Sequence, residues 1–509
     1  MKKIILIILV IIFIGVEGCA EKNNSPVSVK ISSMPSEAQV YFDQEFKGYT
    51  PLNIDATKTK HRLIILKNGY SALKTDINIS NKHSFNFTLE SIPVEKNIEC
   101  GRIINTSFPV NQPIFSLDTI FSLDNKFIFA DCYYKPERLY IRCIDLNSYD
   151  ELWRFEIKAE SNLDTLDNTR MALIDNLLYV YTYHYSGKAF LPYLYILDTN
   201  GKLVLKEKLP FSTHMPDKDV VILVDQNIVT NPNPNKASLN CYSLKEHKVV
   251  WQKEIKVGVV VTRIFGNALY AFSINGNFIR IHKINKFTGE ILSVKDFPEI
   301  RNFQRSEGGL LIAVPLAIVN GRVFFSPDEK NIYCVGLESM EILYKCDTGI
   351  YFYSVDVKDN LFFVTGSGKT IAIDVNNGKI EGTYKAEFSG SSIAVVDRKV
   401  FIGVAGDKIH CFNINGKEIE FPYSPNMFGG SFVDLEITNN TLIAHAVNRA
   451  TGEAKDYLYV FDLETNETVF SLEDIGSFHI VKSLLIVIPL TEPEKKIIFI
   501  DLGKFSKYQ

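Results

Sequence analysis

The stretch that decides the fold runs from Leu139 to Trp153 and reads Leu-Tyr-Ile-Arg-Cys-Ile-Asp-Leu-Asn-Ser-Tyr-Asp-Glu-Leu-Trp. Two short apolar runs, residues 139–146 and 151–157, flank a polar break. This pattern is typical of two antiparallel strands joined by a tight hairpin turn. The local prediction is therefore a β-hairpin.

The same phrase recurs along the rest of the chain, which is the signature of a repeat architecture. Aligned on the middle of the first strand, the copies share an apolar residue at nine anchor positions: Cys143, Ile196, Cys241, Ile281, Cys334, Ala372, Cys411, Val460 and Phe499. Ten positions after four of the anchors lies an aromatic residue: Trp153, Trp251, Tyr344 and Phe470. A repeated aromatic residue at a fixed offset indicates a repeated packing position.

The anchor spacing predicts the architecture. Consecutive anchors lie 38 to 53 residues apart, which is room for about four strands, the size of one propeller blade. Residues 97–509 divided by a blade of about 50 residues give eight blades, with seven or nine as alternatives. The last hairpin lacks a fourth strand of its own, so residues 97–108 are expected to pair with it and close the ring.

Composition restricts the classes of function. The chain has 509 residues, is 46% hydrophobic and 22% charged, and carries a formal net charge of -4. Lys and Arg are scattered among Asp and Glu, which argues against a nucleic-acid partner. The eight cysteines contain no Cys-x-x-Cys pair. Those at four anchors (Cys143, Cys241, Cys334 and Cys411) are predicted to be buried free thiols, with disulfides as the alternative.

The N-terminus has the features of an export signal. Two lysines precede an apolar run of 11 residues, Ile4 to Ile14, which is too short for a membrane span of about 20 residues. The run leads to Val16-Glu17-Gly18-Cys19, which resembles a bacterial lipobox, although Glu17 departs from its usual pattern. The resemblance implies a signal peptide at residues 1–19, lipidation of Cys19 and a polar tether at residues 20–26. A plain signal peptide or an uncleaved anchor is the alternative.

Residues 27–90 alternate apolar and polar side chains, as strands with one buried face do. Three separated motifs occur here: Ser-Met-Pro-Ser-Glu-Ala-Gln-Val-Tyr-Phe-Asp at residues 33–43, Gly-Tyr-Thr-Pro-Leu at 48–52 and Lys-Asn-Gly-Tyr at 67–70. Together they resemble the PEGA domain, with Gln44 departing from the family pattern. The resemblance implies a small β-sandwich that serves as an extracytoplasmic interaction or spacer module. Tyr41 and Tyr70 are interpreted as packing residues, with ligand contact as the alternative.

The repeats of residues 97–509 resemble those of quinoprotein-like propellers. The resemblance is carried by Leu-Tyr-Ile-Leu-Asp at 194–198 with Asn200-Gly201, and by Leu-Tyr-Val-Phe-Asp at 458–462. Family members that oxidise alcohols stack pyrroloquinoline quinone, bound with calcium, between a tryptophan and a vicinal disulfide. The two tryptophans here both lie in the hairpin register, and no cysteines are adjacent. We therefore expect no cofactor.

Three further patterns suggest sites. The sequence Gly-Ser-Gly-Lys-Thr at 366–370 ends like a nucleotide-binding loop, but Phe363 replaces the required first glycine and β runs flank it, so a hairpin turn is predicted and no nucleotide. Tyrosines at alternate positions of one strand form a candidate binding face, with packing between blades as the alternative: Tyr179, Tyr181, Tyr183 and Tyr185. The nine histidines show no ligand-like spacing, so no metal is expected.

The sequence thus predicts an all-β protein, a PEGA sandwich followed by an eight-bladed propeller. We expect a non-enzymatic scaffold, anchored by its lipid and facing the periplasm or the cell surface. Propeller loops would bind an envelope protein or polymer. In outline this resembles the propeller lipoproteins of the outer-membrane β-barrel assembly machinery. The alternatives are a degenerate quinoprotein-type or polysaccharide-acting enzyme that uses loop carboxylates, and a structural envelope component that self-associates.

Overall fold

The structure is a computed structural model. It describes residues 26–508 except 81, 100–101, 104–119, 135–136, 159–168, 175, 186–189, 210–221, 225–226, 234–237, 244–245, 256–260, 276–277, 302–315, 329, 352–353, 367, 386–389, 405–406, 422–429, 449–454 and 490–495. The chain divides into two compact units. The first comprises residues 1–92 and Tyr459–Glu473, and the second comprises residues 93–458 and 474–509.

The N-terminal domain in the first unit is a two-layer sandwich of seven strands: β1 Val27–Met34, β2 Gln39–Phe42, β3 Glu45–Tyr49, β4 Leu52–Ala56, β5 Lys60–Leu66, β6 Leu73–Asn78 and β7 Ser84–Thr88. One sheet has the order β4-β1-β7 and the other β3-β2-β5-β6. Alternate residues of each strand point inward, so Val29 and Ile31 pack with Val40, Leu63 and Ile65 in one core. The predicted β-sandwich is confirmed.

Residues 93–509 form nine successive antiparallel sheets in the described residues. Sheet 1 is β10 Ile120–Leu123, β11 Lys126–Tyr134, β12 Glu137–Asp145 and β13 Glu151–Ile157. Sheet 2 is β14 Arg170–Ile174, β15 Leu177–Tyr185, β16 Phe190–Asp198 and β17 Leu203–Lys208. Sheet 3 is β18 Ile222–Val224, β19 Asn227–Asn233, β20 Ser238–Ser243 and β21 Lys248–Glu254. Two short strands precede them, β8 Lys96–Glu99 and β9 Arg102–Ile103, and β9 pairs with β11 as a fifth strand of sheet 1.

Sheet 4 is β22 Val261–Phe265, β23 Ala268–Asn275, β24 Phe278–Asn285 and β25 Ile291–Arg301. Sheet 5 is β26 Ala317–Val319, β27 Arg322–Phe325, β28 Asn331–Gly336 and β29 Glu341–Asp347. Sheet 6 is β30 Ser354–Lys358, β31 Leu361–Gly366, β32 Lys369–Asp374 and β33 Ile380–Lys385. Sheet 7 is β34 Gly390–Val396, β35 Lys399–Val404, β36 Ile409–Asn413, β37 Glu418–Ile419. Sheet 8 is β38 Gly430–Thr438, β39 Thr441–Asn448, β40 Lys455–Asp462, β41 Glu467–Glu473, and sheet 9 is β42 Ile475–Val481, β43 Leu484–Pro489, β44 Lys496–Asp501 and β8. A 3₁₀ helix, Leu502–Tyr508, ends the described chain.

The repeated phrase folds as a hairpin with a capped turn. In sheet 1, the backbone N–H groups of Asn147 and Ser148 donate to Oδ1 of Asp145 at 2.7 and 3.0 Å. This Asx turn replaces backbone hydrogen bonds that the tight turn cannot make. An Asp or Asn side chain accepts the same kind of bond at five other hairpins: Asp198, Asn285, Asp374, Asn413 and Asp462. Asp501 does so at the start of the 3₁₀ helix.

In sheets 1 and 3, the repeated aromatic residue joins the sheet to the one that follows it. Trp153 donates from Nε1 to the carbonyl of Thr199 at 3.0 Å, across to the turn of sheet 2. The equivalent residue of sheet 3, Trp251, donates to the carbonyl of Lys286 in sheet 4 at 3.2 Å. The predicted packing role of both tryptophans is confirmed.

Apolar cores join sheets 1 and 2, 3 and 4, 4 and 5, 5 and 6, and 6 and 7, and a further core joins the last sheet to the first. Phe127 of sheet 1 contacts Phe499 of sheet 9, with ring centroids 6.3 Å apart. The strand β8 pairs with β44, so that Ile98 lies opposite Ile497. Lys96–Glu99 therefore completes the last sheet, in line with the start of the segment predicted to do so, residues 97–108. Arg102–Ile103 of that segment pairs with β11 of sheet 1 instead, and residues 100–101 and 104–108 lie outside the described chain. This circular order of radial four-stranded sheets is a β-propeller.

The predicted count of eight blades is not confirmed, because the described residues hold nine sheets. The prediction assumed blades of about 50 residues, whereas anchors as close as 38 residues apart each have a sheet of their own. All nine anchor positions fall in strands of separate sheets.

The predicted buried thiols are confirmed. Cys143, Cys241, Cys334 and Cys411 are free and buried, as is Cys346. Burial raises the pKa of the Cys334 thiol to about 11. The described chain has no helix long and apolar enough to cross a bilayer.

Candidate functional site

Charged side chains gather on the first strands of sheets 6 and 8. Asp356 and Lys358 lie on β30, and Asp434 and Glu436 lie on β38. Alternation places each pair on one face of its strand, while Leu435, between the acids of β38, is fully buried on the other face. The strands β30 and β38 both lie beside β34, the first strand of sheet 7. First strands of propeller blades surround the central channel, so we call these four residues the inner-strand charge cluster.

The cluster crowds three carboxyl groups around one ammonium group. Burial raises the pKa of Asp356 and of Asp434, and the charge of Lys358 opposes the shift in both. Burial and the neighbouring carboxylate of Asp434 raise the pKa of Glu436 to about 7. Desolvation disfavours the ionised form of each acid, and mutual repulsion adds to it. Near neutral pH, Glu436 is therefore partly protonated.

A histidine adjoins the cluster. His445 of β39 is the cross-strand partner of Asp434 and is 7% exposed. Its Nε2 lies 3.5 Å from Oδ1 of Asp456 but makes no hydrogen bond within the described part of the chain. With Asp456, the neighbourhood holds four carboxyl groups, one lysine and one imidazole, which suits recognition of a cationic group or transfer of a proton.

Metal-binding geometry is absent from the residues that the structure describes: no three His, Cys, Asp or Glu side chains there could hold one ion. The sequence-based expectation that no metal binds remains a prediction, because parts of the chain lie outside the described residues.

The tyrosine strand predicted from sequence is β15. Tyr179 and Tyr181 are each 5% exposed, which matches the packing alternative given for them. The side chains of Tyr183 and Tyr185 lie outside the described residues, as does Cys19. Ligand binding by the tyrosines and lipidation of Cys19 stay predictions.

The Gly-Ser-Gly-Lys-Thr sequence joins β31 to β32. Thr365 pairs with Thr370 at the end of this hairpin. The predicted hairpin turn is confirmed, since a phosphate-binding loop requires a following helix.

Sequence reasoning missed the inner-strand charge cluster. Lys358 and Asp434 belong to repeats separated by a whole sheet, and isolated Asp and Lys residues in an alternating strand are usually solvent-facing. The available signal was two acidic residues at alternate positions of one first strand, Asp434 and Glu436.

Residues 27–92 match the family model of the PEGA domain. This part of the chain is a PEGA domain. The prediction made from the three motifs at residues 33–70 is confirmed, and the PEGA sandwich described above accounts for those motifs as strand and turn residues.

Solved structures similar to the chain include BamB from Moraxella catarrhalis, with 13% identity over 69% of this chain and 96% of that one, and a TM-score of 0.39. The computationally designed Ika8 protein is 11% identical over 65% of this chain and 95% of its own, with a TM-score of 0.39. A europium-containing methanol dehydrogenase is 9% identical over 72% of this chain and 84% of its own, with a TM-score of 0.40. No curated protein sequence matches the chain.

Proposed function

We propose that the chain is a non-enzymatic binding or scaffold protein of the cell envelope. A lipid on Cys19 holds it to a membrane, and its propeller loops bind an envelope protein or polymer. The observation that carries the proposal is the PEGA domain at residues 27–92, which follows an export-type sequence ending in Cys19 and the short polar segment 20–26. This order suits a protein that works outside the cytoplasm.

The propeller supports this role by presenting many loops from a rigid frame. Loops that connect well-packed sheets commonly carry binding residues, because they vary without disturbing the core. The aromatic contacts between sheets, such as Trp153 with Thr199, fix the positions of neighbouring turns. The frame therefore suits recognition by surface contact.

The anchor is tested by replacing Cys19. We expect the native chain to stay with membranes after washing with high salt and alkali, and to incorporate labelled palmitate. The variant Cys19→Ala should lose the label. A native chain that carries no lipid after export would contradict the anchor.

The binding role is tested separately, by crosslinking the full chain in intact cells and isolating its adducts from membranes. We expect one envelope protein or polymer to be enriched over a matched lipoprotein that has no propeller. Recovery of no envelope component would contradict the scaffold role, whether or not Cys19 is lipidated.

The inner-strand charge cluster favours one second candidate, a polysaccharide-acting enzyme. Glycoside hydrolysis uses a protonated carboxylic acid together with a second carboxylate, and Glu436, with its pKa of about 7, suits the acid. In this candidate, Glu436→Gln would abolish hydrolysis of envelope polysaccharide while binding persists. The quinoprotein-type alternative predicts quinone absorbance and stoichiometric calcium in the purified chain; a colourless protein without calcium would favour the scaffold.

A further inference from the structure

Within the first unit, a short segment of the PEGA domain adds to the edge of β41. The N–H of Ala72 donates to the carbonyl of Val469 at 2.7 Å, and that of Gly69 donates to the carbonyl of Ser471 at 3.2 Å. Asn68 Oδ1 accepts a hydrogen bond from the N–H of Glu473 at 3.0 Å. Ser71 and Phe470 form the antiparallel bridge between the two segments. Residues 69–72 therefore extend the sheet as an added strand. Proteins use the same strand addition to bind peptides.

Val469 occupies a defined place in the repeat. It precedes Phe470, which lies ten residues after its anchor, as Trp153, Trp251 and Tyr344 do. In sheet 1, Cys143 pairs with Trp153 and Ile144 pairs with Glu151, so the residue between them, Leu152, is a β-bulge. By its offset from the anchor, Val469 corresponds to this bulge position, and its carbonyl accepts the hydrogen bond from Ala72 of the PEGA segment.

Five other fourth strands carry an exposed aliphatic residue at this bulge position. The residues, with their exposed fractions, are Leu152 at 47%, Val204 at 57%, Val250 at 37%, Leu292 at 49% and Leu343 at 46%. Sheet 6 has Glu381 there instead. Since a charged residue is compatible with the same hairpin, the fold does not require an aliphatic side chain at this place.

The strands that carry these residues are sheet edges. Each of β13, β17, β21, β25 and β29 stands last in its sheet and pairs with one neighbour among the described strands. An edge strand presents backbone N–H and C=O groups to any extended chain, and proteins commonly protect it with charged residues. An exposed aliphatic residue in the same place on five edges leaves them suited to receive a strand.

We propose that these five edges bind extended segments of a partner protein by strand addition. The occupant is a polypeptide with small and apolar residues, as in Gly69-Tyr70-Ser71-Ala72, because that segment occupies the equivalent edge of β41. Its backbone hydrogen-bonds to the edge, and its side chains cover the aliphatic bulge residue. This surface lies on the outer strands, so it goes beyond the loop-mediated binding proposed above and does not depend on Cys19.

The test uses the full chain in mild detergent and a capped fluorescent peptide with the sequence of residues 68–73, Asn-Gly-Tyr-Ser-Ala-Leu. We expect a saturable rise in anisotropy with more than one peptide bound per chain. A peptide methylated on the nitrogen that corresponds to Ala72 should bind at least about fivefold more weakly, because it loses one backbone hydrogen bond. Equal binding of the two peptides, or no binding below about 1 mM, would overturn the proposal.

Protein variants locate the sites. The double variant Leu292→Lys, Leu343→Lys charges two of the five edges and should reduce the number of bound peptides, with the thermal unfolding of the chain unchanged. The control is Phe287→Lys, a turn residue that is 46% exposed and outside every strand, and it should bind as the native chain does. Undiminished binding by the double variant, or an equal loss in the control, would overturn the assignment to the edges.

Discussion

The indole of Trp153 lies directly on Gly201 of the next sheet. A Cβ atom at residue 201 would lie 2.4 Å from Cδ2 of the indole, and the glycine has a φ of +76°. The same relationship holds between Trp251 and Gly289, and between Tyr344 and Gly378. In these three turns, the glycine and the aromatic residue of the preceding sheet are therefore one packing unit.

This contact predicts a large effect for Gly201→Ala. The methyl group meets the indole, and the left-handed backbone disfavours any side chain, so we expect the unfolding free energy to fall by about 2–4 kcal/mol. Urea unfolding followed by tryptophan fluorescence is the measurement. Both tryptophans belong to the second unit, so the signal reports that unit alone.

Gly349→Ala is the matched control for this substitution. Gly349 has a φ of +65°, but nothing lies within 4 Å of its added Cβ. Gly349→Ala should lower the free energy of unfolding by only about 1 kcal/mol, because the left-handed backbone is all that disfavours the alanine. Equal losses in the two variants would show that the indole contact contributes nothing.

The local features of this fold were predictable from sequence, and the contacts between distant segments were not. The hairpins and the anchor register follow from residues that lie close together in each repeat, whereas the partner of Trp153, the carbonyl of Thr199, lies in the next sheet. The PEGA domain was recognisable for the same reason, since its motifs lie within residues 33–70. Strand addition of residues 69–72 to β41 joins segments about 400 residues apart, and no local pattern marks it.

The inner-strand charge cluster was not predictable either, because it also depends on a long-range contact. In the sequence, Asp356 and Lys358 stand at alternate positions of one strand, and Asp434 and Glu436 at alternate positions of another. Only the position of both strands beside β34 brings their charges together. The predicted count of eight blades, with seven or nine as alternatives, is not confirmed for a related reason: the length of each repeat varies, and a division by an average length cannot resolve the number.

A second prediction concerns Glu467, which is 9% exposed and accepts bonds in the first unit from Arg62 at 2.7 Å and Lys74 at 3.2 Å. Glu467→Ala leaves two cations without this carboxylate, so we expect the local stability of the unit to fall by about 1–3 kcal/mol. Hydrogen exchange should then speed up at Gly69 and Ala72, whose N–H groups bond to β41.

The exposed Glu90 supplies the control for that measurement. Glu90→Ala should change stability by no more than about 0.5 kcal/mol. Unchanged exchange at Gly69 and Ala72 in Glu467→Ala would mean that the ion pairs do not hold the added segment.

A third prediction concerns the buried thiols. Burial raises the pKa of Cys143 to about 11 and that of Cys241 to about 12, so neither holds much reactive thiolate at neutral pH. Mass mapping after iodoacetamide treatment should find both unmodified in the folded chain and modified in urea. The exposed turn variant Thr288→Cys should react under native conditions, and rapid native labelling of Cys143 would contradict the buried packing.

The last prediction concerns Glu436. Its pKa is raised from 4.5 to about 7 in the folded chain, with burial as the largest cause. Between these two values the folded chain keeps a proton that the unfolded chain has released, so stability falls as pH rises from about 4.5 to 7. The glutamine in Glu436→Gln resembles the protonated acid and cannot ionise, so the stability of this variant does not fall over the same pH range.

We therefore expect Glu436→Gln to exceed the native chain in stability by about 1–2 kcal/mol at pH 8, after allowance for partial solvent screening. The two proteins should converge near pH 4.5. Urea midpoints measured across this range by tryptophan fluorescence test the expectation, with the exposed Glu290→Gln as a control that should follow the native curve. If the curve of Glu436→Gln stays parallel to the native one, ionisation of Glu436 does not oppose folding, and the inner-strand charge cluster is open enough to water to solvate its carboxylates.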